Sequence, residues 1–162
     1  MIERIVVFSR RQIEELAYKP LLELEEVRVS TGPYAIISIT GSDDDLAQLP
    51  LNADFVLRLT FDDILENMNG KEIDIIGGGT LKLKFITRDD ALSITHFFEE
   101  IKDKVSLLVV HCGAGISRSA GVAIAIAEQV DISMMGHLIS QHEFFNRDVY
   151  ALIKQTFNSH KE

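Results

Sequence analysis

One cysteine stands in 162 residues, tryptophan is absent, and proline occurs only three times. A single thiol excludes an intrachain disulfide framework and a multi-cysteine metal staple, and it suits a reducing compartment. With so little proline and no glycine- or serine-rich stretch, nothing serves as a linker to a second module, so one domain over residues 1–162 is expected. No apolar run approaches membrane-spanning length, and Met1 to Phe8 is too short and strand-like for a leader. A cytoplasmic protein without a membrane partner is therefore expected. Basic residues are also scarce: 16 Lys and Arg against 25 Asp and Glu leave a formal charge of -9. That balance argues against nucleic acid as a partner, which needs a basic footprint, but not against a small phosphorylated substrate, which responds to local dipoles and a single arginine.

What is present alternates between strand and helix patterns. Ile5 to Phe8 reads as a buried strand, and Arg11 to Tyr18 carries Ile13, Leu16 and Ala17 at helical spacing before Pro20. Tyr34 to Thr40 is a second strand closed by Gly41, after which Asp43, Asp44 and Asp45 are expected to cap a helical turn through Leu46 and Leu49. Asp54 to Phe61 forms a third strand that delivers the chain to Asp62 and Asp63. Ile73–Ile76 and Leu81–Phe85 flank three glycines and read as a hairpin; no helix follows the glycines, so a phosphate loop there is set aside. Asp89 to Lys102 is amphipathic and helical, Val105 to Val110 is an apolar strand of the kind covered on both faces, and Ala120 to Ala127 is a helix too apolar for a surface. Helices about Met134 to Phe145 and Arg147 to Phe157 complete the chain. The fold class implied is α/β: a central, largely parallel sheet of about four to five strands with helices on both faces, plus an extra β-hairpin near 73–85. Ligands of such sheets bind beyond the carboxyl ends of the strands, and Cys112 falls there.

Around it runs His111-Cys112-Gly113-Ala114-Gly115-Ile116-Ser117-Arg118-Ser119. A lone cysteine is ordinarily a small buried hydrophobe. Here two glycines let the backbone between thiol and guanidinium curl into a ring of N–H groups, a phosphate cradle, at the start of an apolar helix. A thiolate is favoured where amides, a helix N-terminus and a cation meet, and Arg118 offers a planar fork for two phosphate oxygens. A surface salt bridge would leave unexplained why Arg118 stands in the first helical turn, where positive charge is disfavoured. Ser119 serves as helix cap, as donor to the Cys112 sulfur, or both, and His111 is expected to shape the loop through its carbonyls. Displacing an alkoxide also needs an acid. Asp63 and Asp62 follow a strand that opens on the same sheet edge, although turn formation or helix capping is their plainer role; Asp54 lies at the opposite edge. His137 and His142 are five residues apart, a poor fit to one helix face, so no metal site is expected.

With these residues assembled, His111 to Ser119 resembles the His-Cys-x5-Arg-Ser signature of the cysteine-based protein tyrosine phosphatase superfamily, most closely its compact, dual-specificity-like microbial branch. Ile36 to Thr40, Leu57 to Asp63 and Phe145 to Val149 are similar to further segments of that branch. The resemblance implies a phosphatase-type loop between strand and helix, with Cys112 as nucleophile, and Arg118 with the amides of Gly113, Ala114, Gly115, Ile116, Ser117 and Arg118 as phosphate ligands. It further implies that Ser119 assists departure of the thiol, and that Asp63 is the general acid with Asp62 as fallback. The implied activity is hydrolysis of phosphotyrosine, and of phosphoserine or phosphothreonine, in a protein or peptide through a phosphocysteine, without a cofactor. Phosphoinositide-selective relatives carry lysines in the loop where Ala114 and Ile116 stand, which disfavours a lipid substrate. Two features depart from the pattern: the hairpin lengthens the interval from Asp63 to Cys112, and the proline usual near the late aromatic-Asn segment is missing. Competing readings are a phosphoprotein-binding module that has lost turnover and a phosphatase of small phosphoesters. Lys82 and Lys84 read either as a solvated strand face or as a landing site for an acidic phosphopeptide.

Overall fold

The structure, a computed structural model, describes residues 1–160. In chain order its elements are β1 (Arg4–Phe8), α1 (Arg10–Ala17), α2 (Leu21–Thr31), β2 (Tyr34–Thr40), β3 (Phe55–Thr60), a 3-10 turn (Glu66–Met68), β4 (Glu72–Asp74), β5 (Thr80–Lys82), α3 (Arg88–Ile101), β6 (Leu107–His111), α4 (Arg118–Val130), α5 (Ile132–Gln141) and α6 (Arg147–His160). Four strands form one sheet in the order β1-β6-β2-β3, and every neighbouring pair is parallel. The sheet thus has the smaller of the expected strand numbers and is wholly parallel. β4 and β5 pair antiparallel as the expected hairpin, apart from the sheet.

The two-residue period of the strands sorts their side chains onto two faces. Ala35, Ile37, Ile39, Leu108 and Val110 join the main core with Ile94, Phe98 and Ile101 of α3, the buried stretch of α4, and Val149, Ile153 and Phe157 of α6. Tyr34, Ile36, Leu107 and Val109 face the other way into a far smaller cluster closed by Ile13 of α1. Helices therefore cover both faces, unequally. α4 is buried from Ser119 to Ala127, which explains its uninterrupted small apolar sequence. Gly121 makes that burial feasible, since a Cβ on it would lie 2.7 Å from the Asn146 carbonyl oxygen just before α6.

Three expectations are corrected. Asp43 to Asp45 do not cap a helical turn: the Asp44 carboxylate accepts the Gly41 N–H at 3.0 Å, and the segment after it hangs on side chains instead. Arg10 donates to the Asp45 and Leu46 carbonyls, and Arg58 to that of Ala47. The helix α2 was not expected, because its apolar residues form no stripe: Leu24 is buried while Leu21, Leu22 and Val29 are exposed. Pro20, read only as the end of α1, also stands as the cap of α2, and Gly32 closes α2 with φ of 75°. The penultimate helix, α5, stops at Gln141 rather than near Phe145, with His142 as its cap. No helix among the described residues is long and apolar enough to cross a membrane.

Two glycine substitutions should separate packing from propensity. Gly121→Ala forces a methyl against backbone and should cost about 1–3 kcal/mol. Gly136→Ala, in α5 with open space around its Cα, should gain about 0.5–1 kcal/mol. Urea unfolding of both variants checks the opposite signs.

Candidate active site

The loop after β6 is fixed from two sides. Gly115 adopts φ of 73° and lies so close to the β1–α1 junction that a Cβ would sit 2.7 Å from Ser9 N and 2.9 Å from Phe8 O. The same junction takes the Cys112 N–H on the Phe8 carbonyl at 3.4 Å and gives the Arg10 N–H to the Gly113 carbonyl at 2.9 Å. On the far side the Ser117 carbonyl accepts from Asn146 and Gly121 N–H, both at 3.0 Å. The flanking structure thus uses loop carbonyls. The N–H groups of Gly113 to Arg118 donate to no partner among the described residues, which leaves a set of free donors at the start of α4.

Cys112, the residue before this loop, is 2% exposed, with Sγ 3.0 Å from the Ser119 hydroxyl. Ser119 is the second residue of α4 and caps nothing, so of the two roles open to it the structure displays the contact with sulfur. His111 is fully buried. Its Nδ1 is 3.1 Å from the Cys112 carbonyl, which only accepts, so Nδ1 carries the proton; bare Nε2 then accepts from the Ser38 hydroxyl at 2.6 Å. Burial lowers the His111 pKa, opposed by the bond to the Cys112 carbonyl. The imidazole is thus a neutral brace between β6, β2 and the loop. The Arg118 guanidinium is folded back over the loop. Nη1 donates to the Phe61 carbonyl at 2.9 Å, Nη2 lies 3.3 Å from where a Gly113 Cβ would stand, and Nε is buried with no partner.

Asp62 and Asp63 part company at the end of β3. Asp62 points inward and accepts from Ser42 N–H at 2.9 Å, Ser42 Oγ at 2.7 Å and Lys84 N–H at 2.8 Å. Burial opposes its charge, but these bonds, with the positive field of Arg118, hold its carboxyl below the usual range. It is a fully engaged clasp between the Gly41–Ser42 turn and the end of the hairpin. Asp63 is exposed, and a single oxygen, Oδ1, accepts from Ser117 Oγ at 2.7 Å and Asn146 Nδ2 at 3.3 Å. Its other oxygen has no partner among the described residues. Lys84 is not free to greet a ligand, since its Nζ is bound to the Thr60 carbonyl at 2.9 Å. Asp54 lies at the opposite edge, as expected, and pairs there with Arg28.

Asn146 is the site residue that the sequence did not disclose. Its Oδ1 accepts the Asp148 and Val149 N–H groups that open α6, while Nδ2 also reaches the Ile64 carbonyl at 2.9 Å. Asn146 therefore ties the Asp63 segment to a helix N-terminus through its side chain, and to the loop through its backbone N–H. The available signal was an asparagine immediately before an expected helix start.

No protein-family model matches the chain, and no curated protein matches it. Solved structures do. The human tyrosine phosphatase-like serine/threonine/tyrosine-interacting protein is 15% identical, with 98% of this chain and 93% of that one covered at a TM-score of 0.55. Human DUSP28 is 12% identical over 97% and 93% at 0.56. PTPMT1 in complex with PI(5)P is 13% identical over 97% and 92% at 0.55. At such identities the likeness is one of fold: this chain has the α/β fold of the compact dual-specificity and tyrosine phosphatases over nearly its whole length.

The contrast between the two aspartates is testable without any assay of activity. Asp62→Ala should lose about 2–4 kcal/mol, the scale of a buried carboxylate with several charge-assisted bonds, whereas Asp63→Ala should stay within about 0.5 kcal/mol of wild type. Because the folded Asp62 pKa is depressed, its contribution is complete above the ordinary carboxylate range and is lost as pH falls through the folded value. The stability gap between wild type and Asp62→Asn should accordingly close in acid, as read by denaturant melts at stepped pH.

Proposed function

We propose that the chain is a cysteine-dependent phosphoric monoester hydrolase acting on phosphotyrosine, and on phosphoserine and phosphothreonine, in proteins or peptides. The observation that carries this reading is the buried, unpartnered Nε of Arg118 beside the unpaired amides of Gly113 to Arg118. A buried donor without an acceptor is costly, and one beside a run of free amides fits a multiply charged oxyanion. The floor of such a site is the Cys112 sulfur. The rim is open, with Gly113, Ala114 and Ile116 exposed, which supports admission of short phosphorylated side chains as well as tyrosine.

In the first step the Cys112 thiolate attacks phosphorus. The S–P bond forms as the P–O bond to the leaving group breaks, and Asp63 passes its proton to the departing oxygen from the carboxyl oxygen left free by Ser117 and Asn146. In the second step Asp63, now a carboxylate, takes a proton from water as that water attacks phosphorus and the S–P bond breaks. Ser119 donates to the sulfur as negative charge returns to it, releasing thiolate and inorganic phosphate. Arg118 and the loop amides contribute most when charge spreads over the equatorial oxygens. Asp62 takes no part in proton transfer, since its oxygens are committed to Ser42 and Lys84.

Steady-state and rapid-quench kinetics at mildly acidic pH on two aryl phosphates, one with a good and one with a poor leaving group, test the scheme. Cys112→Ser should fall to background, and Arg118→Lys should lose about 10²–10³ in kcat. Asp63→Asn should slow the poor leaving group by about 10²–10⁴ and the good one far less. Wild-type protein that binds phosphate or vanadate yet turns over neither ester would replace this proposal with the phosphoprotein-binding module.

A further inference from the structure

The sheet face beneath α1 and α2 is covered incompletely. Ile13 and Leu24 are the buried side chains that these helices contribute. Between Leu16 of α1, Val27 of α2 and a floor made by Val6, Phe8, Leu107 and Val109 lies a cleft of about 370 Å3. That volume falls within the range of small-molecule sites. The walls are largely apolar, and the charges at the margin are Arg4, Glu15 and Lys19. Glu15 is answered by Arg11 at 3.0 Å and Lys19 by Glu23 at 3.7 Å, both on the helix surface. Arg4 sits on the floor strand itself, and its guanidinium has neither an ion-pair nor a hydrogen-bond partner among the described residues. An apolar slot with one free cation at its margin is complementary to a molecule with the reverse layout.

We propose that this cleft is a ligand site for a small carboxylic acid with an apolar body. The body lies between Leu16 and Val27 on the strand side chains, and the carboxylate meets Arg4. A fully apolar ligand would leave Arg4 unanswered, and an amine would meet its unpaired positive charge. The site lies on the α1 and α2 side of β1, whereas Cys112 belongs to the core on the other side. Binding is therefore independent of the phosphatase reading.

Isothermal titration of the full chain with decanoate, kept below its micelle concentration, tests this, with 1-decanol and decylamine as matched probes. Wild type and Cys112→Ser should both bind decanoate saturably, and more tightly than either matched probe by roughly tenfold, the scale of one charge-assisted contact. Val27→Phe fills the slot and should abolish binding, with circular dichroism confirming that the variant is folded. Arg4→Gln changes an exposed side chain and should erase the preference for decanoate over decanol. Absence of saturable binding to wild type, unchanged binding by folded Val27→Phe, or a preference that survives Arg4→Gln would each overturn the site.

Discussion

The bond from Arg118 Nη1 to the Phe61 carbonyl is the contact on which the site depends. In the proposed mechanism Arg118 must be held still without being neutralised. A carboxylate would hold it and cancel it; a carbonyl holds it and leaves its charge for an incoming anion. No carboxylate forms an ion pair with Arg118 among the described residues, and Asp62 acts on it only through space. The carbonyl is itself fixed: Phe61 is fully buried, and its N–H continues the β2–β3 ladder by donating to Thr40 at 3.0 Å. Sheet register thus sets the position of the guanidinium.

The same strand end explains how two adjacent carboxylates come to differ. Both lie in the irregular chain just past β3, which ends at Thr60, and one of them turns inward while the other faces outward. Asp62 is the inward one, and its three bonds gather the Gly41–Ser42 turn and the chain at Lys84. That gathering holds the segment from which Asp63 projects toward Ser117 and Asn146. The hairpin that separates Asp63 from Cys112 in sequence therefore does not separate them in space: the chain leaves at Asp62, returns at Lys84, and the Asp62 N–H closes the excursion on the Lys84 carbonyl at 2.7 Å.

Much of this was legible in the sequence because it is local. The apolar strand ending at His111, the glycine spacing and the small-residue helix fixed the place of Cys112, and short apolar runs of the kind buried on both faces marked the parallel strands. What the sequence hid is relational. Asn146 could be read as a cap for α6, but its second bond, to an aspartate 83 positions away, depends on the tertiary fold. Ser117 looked like one more backbone donor, yet its hydroxyl is spent on Asp63. α2 was invisible because its leucines and valines face in several directions, and periodicity detects only a helix with one buried stripe.

The unequal cover of the two sheet faces follows from where rigidity is required. On the main face α3, α4 and α6 enclose the strands, and close contacts such as that of Gly121 with Asn146 leave the loop bearing Cys112 little room to move. The opposite face must supply only a support, through Phe8, Ser9 and Arg10, and those contacts are made by backbone atoms of the β1–α1 junction. Side chains farther along α1 and α2 are not needed to hold the loop, so their packing can remain loose without cost to it. A parallel sheet buried on both sides thus divides into a densely packed side that positions the Cys112 loop and a loosely packed side that carries a cleft.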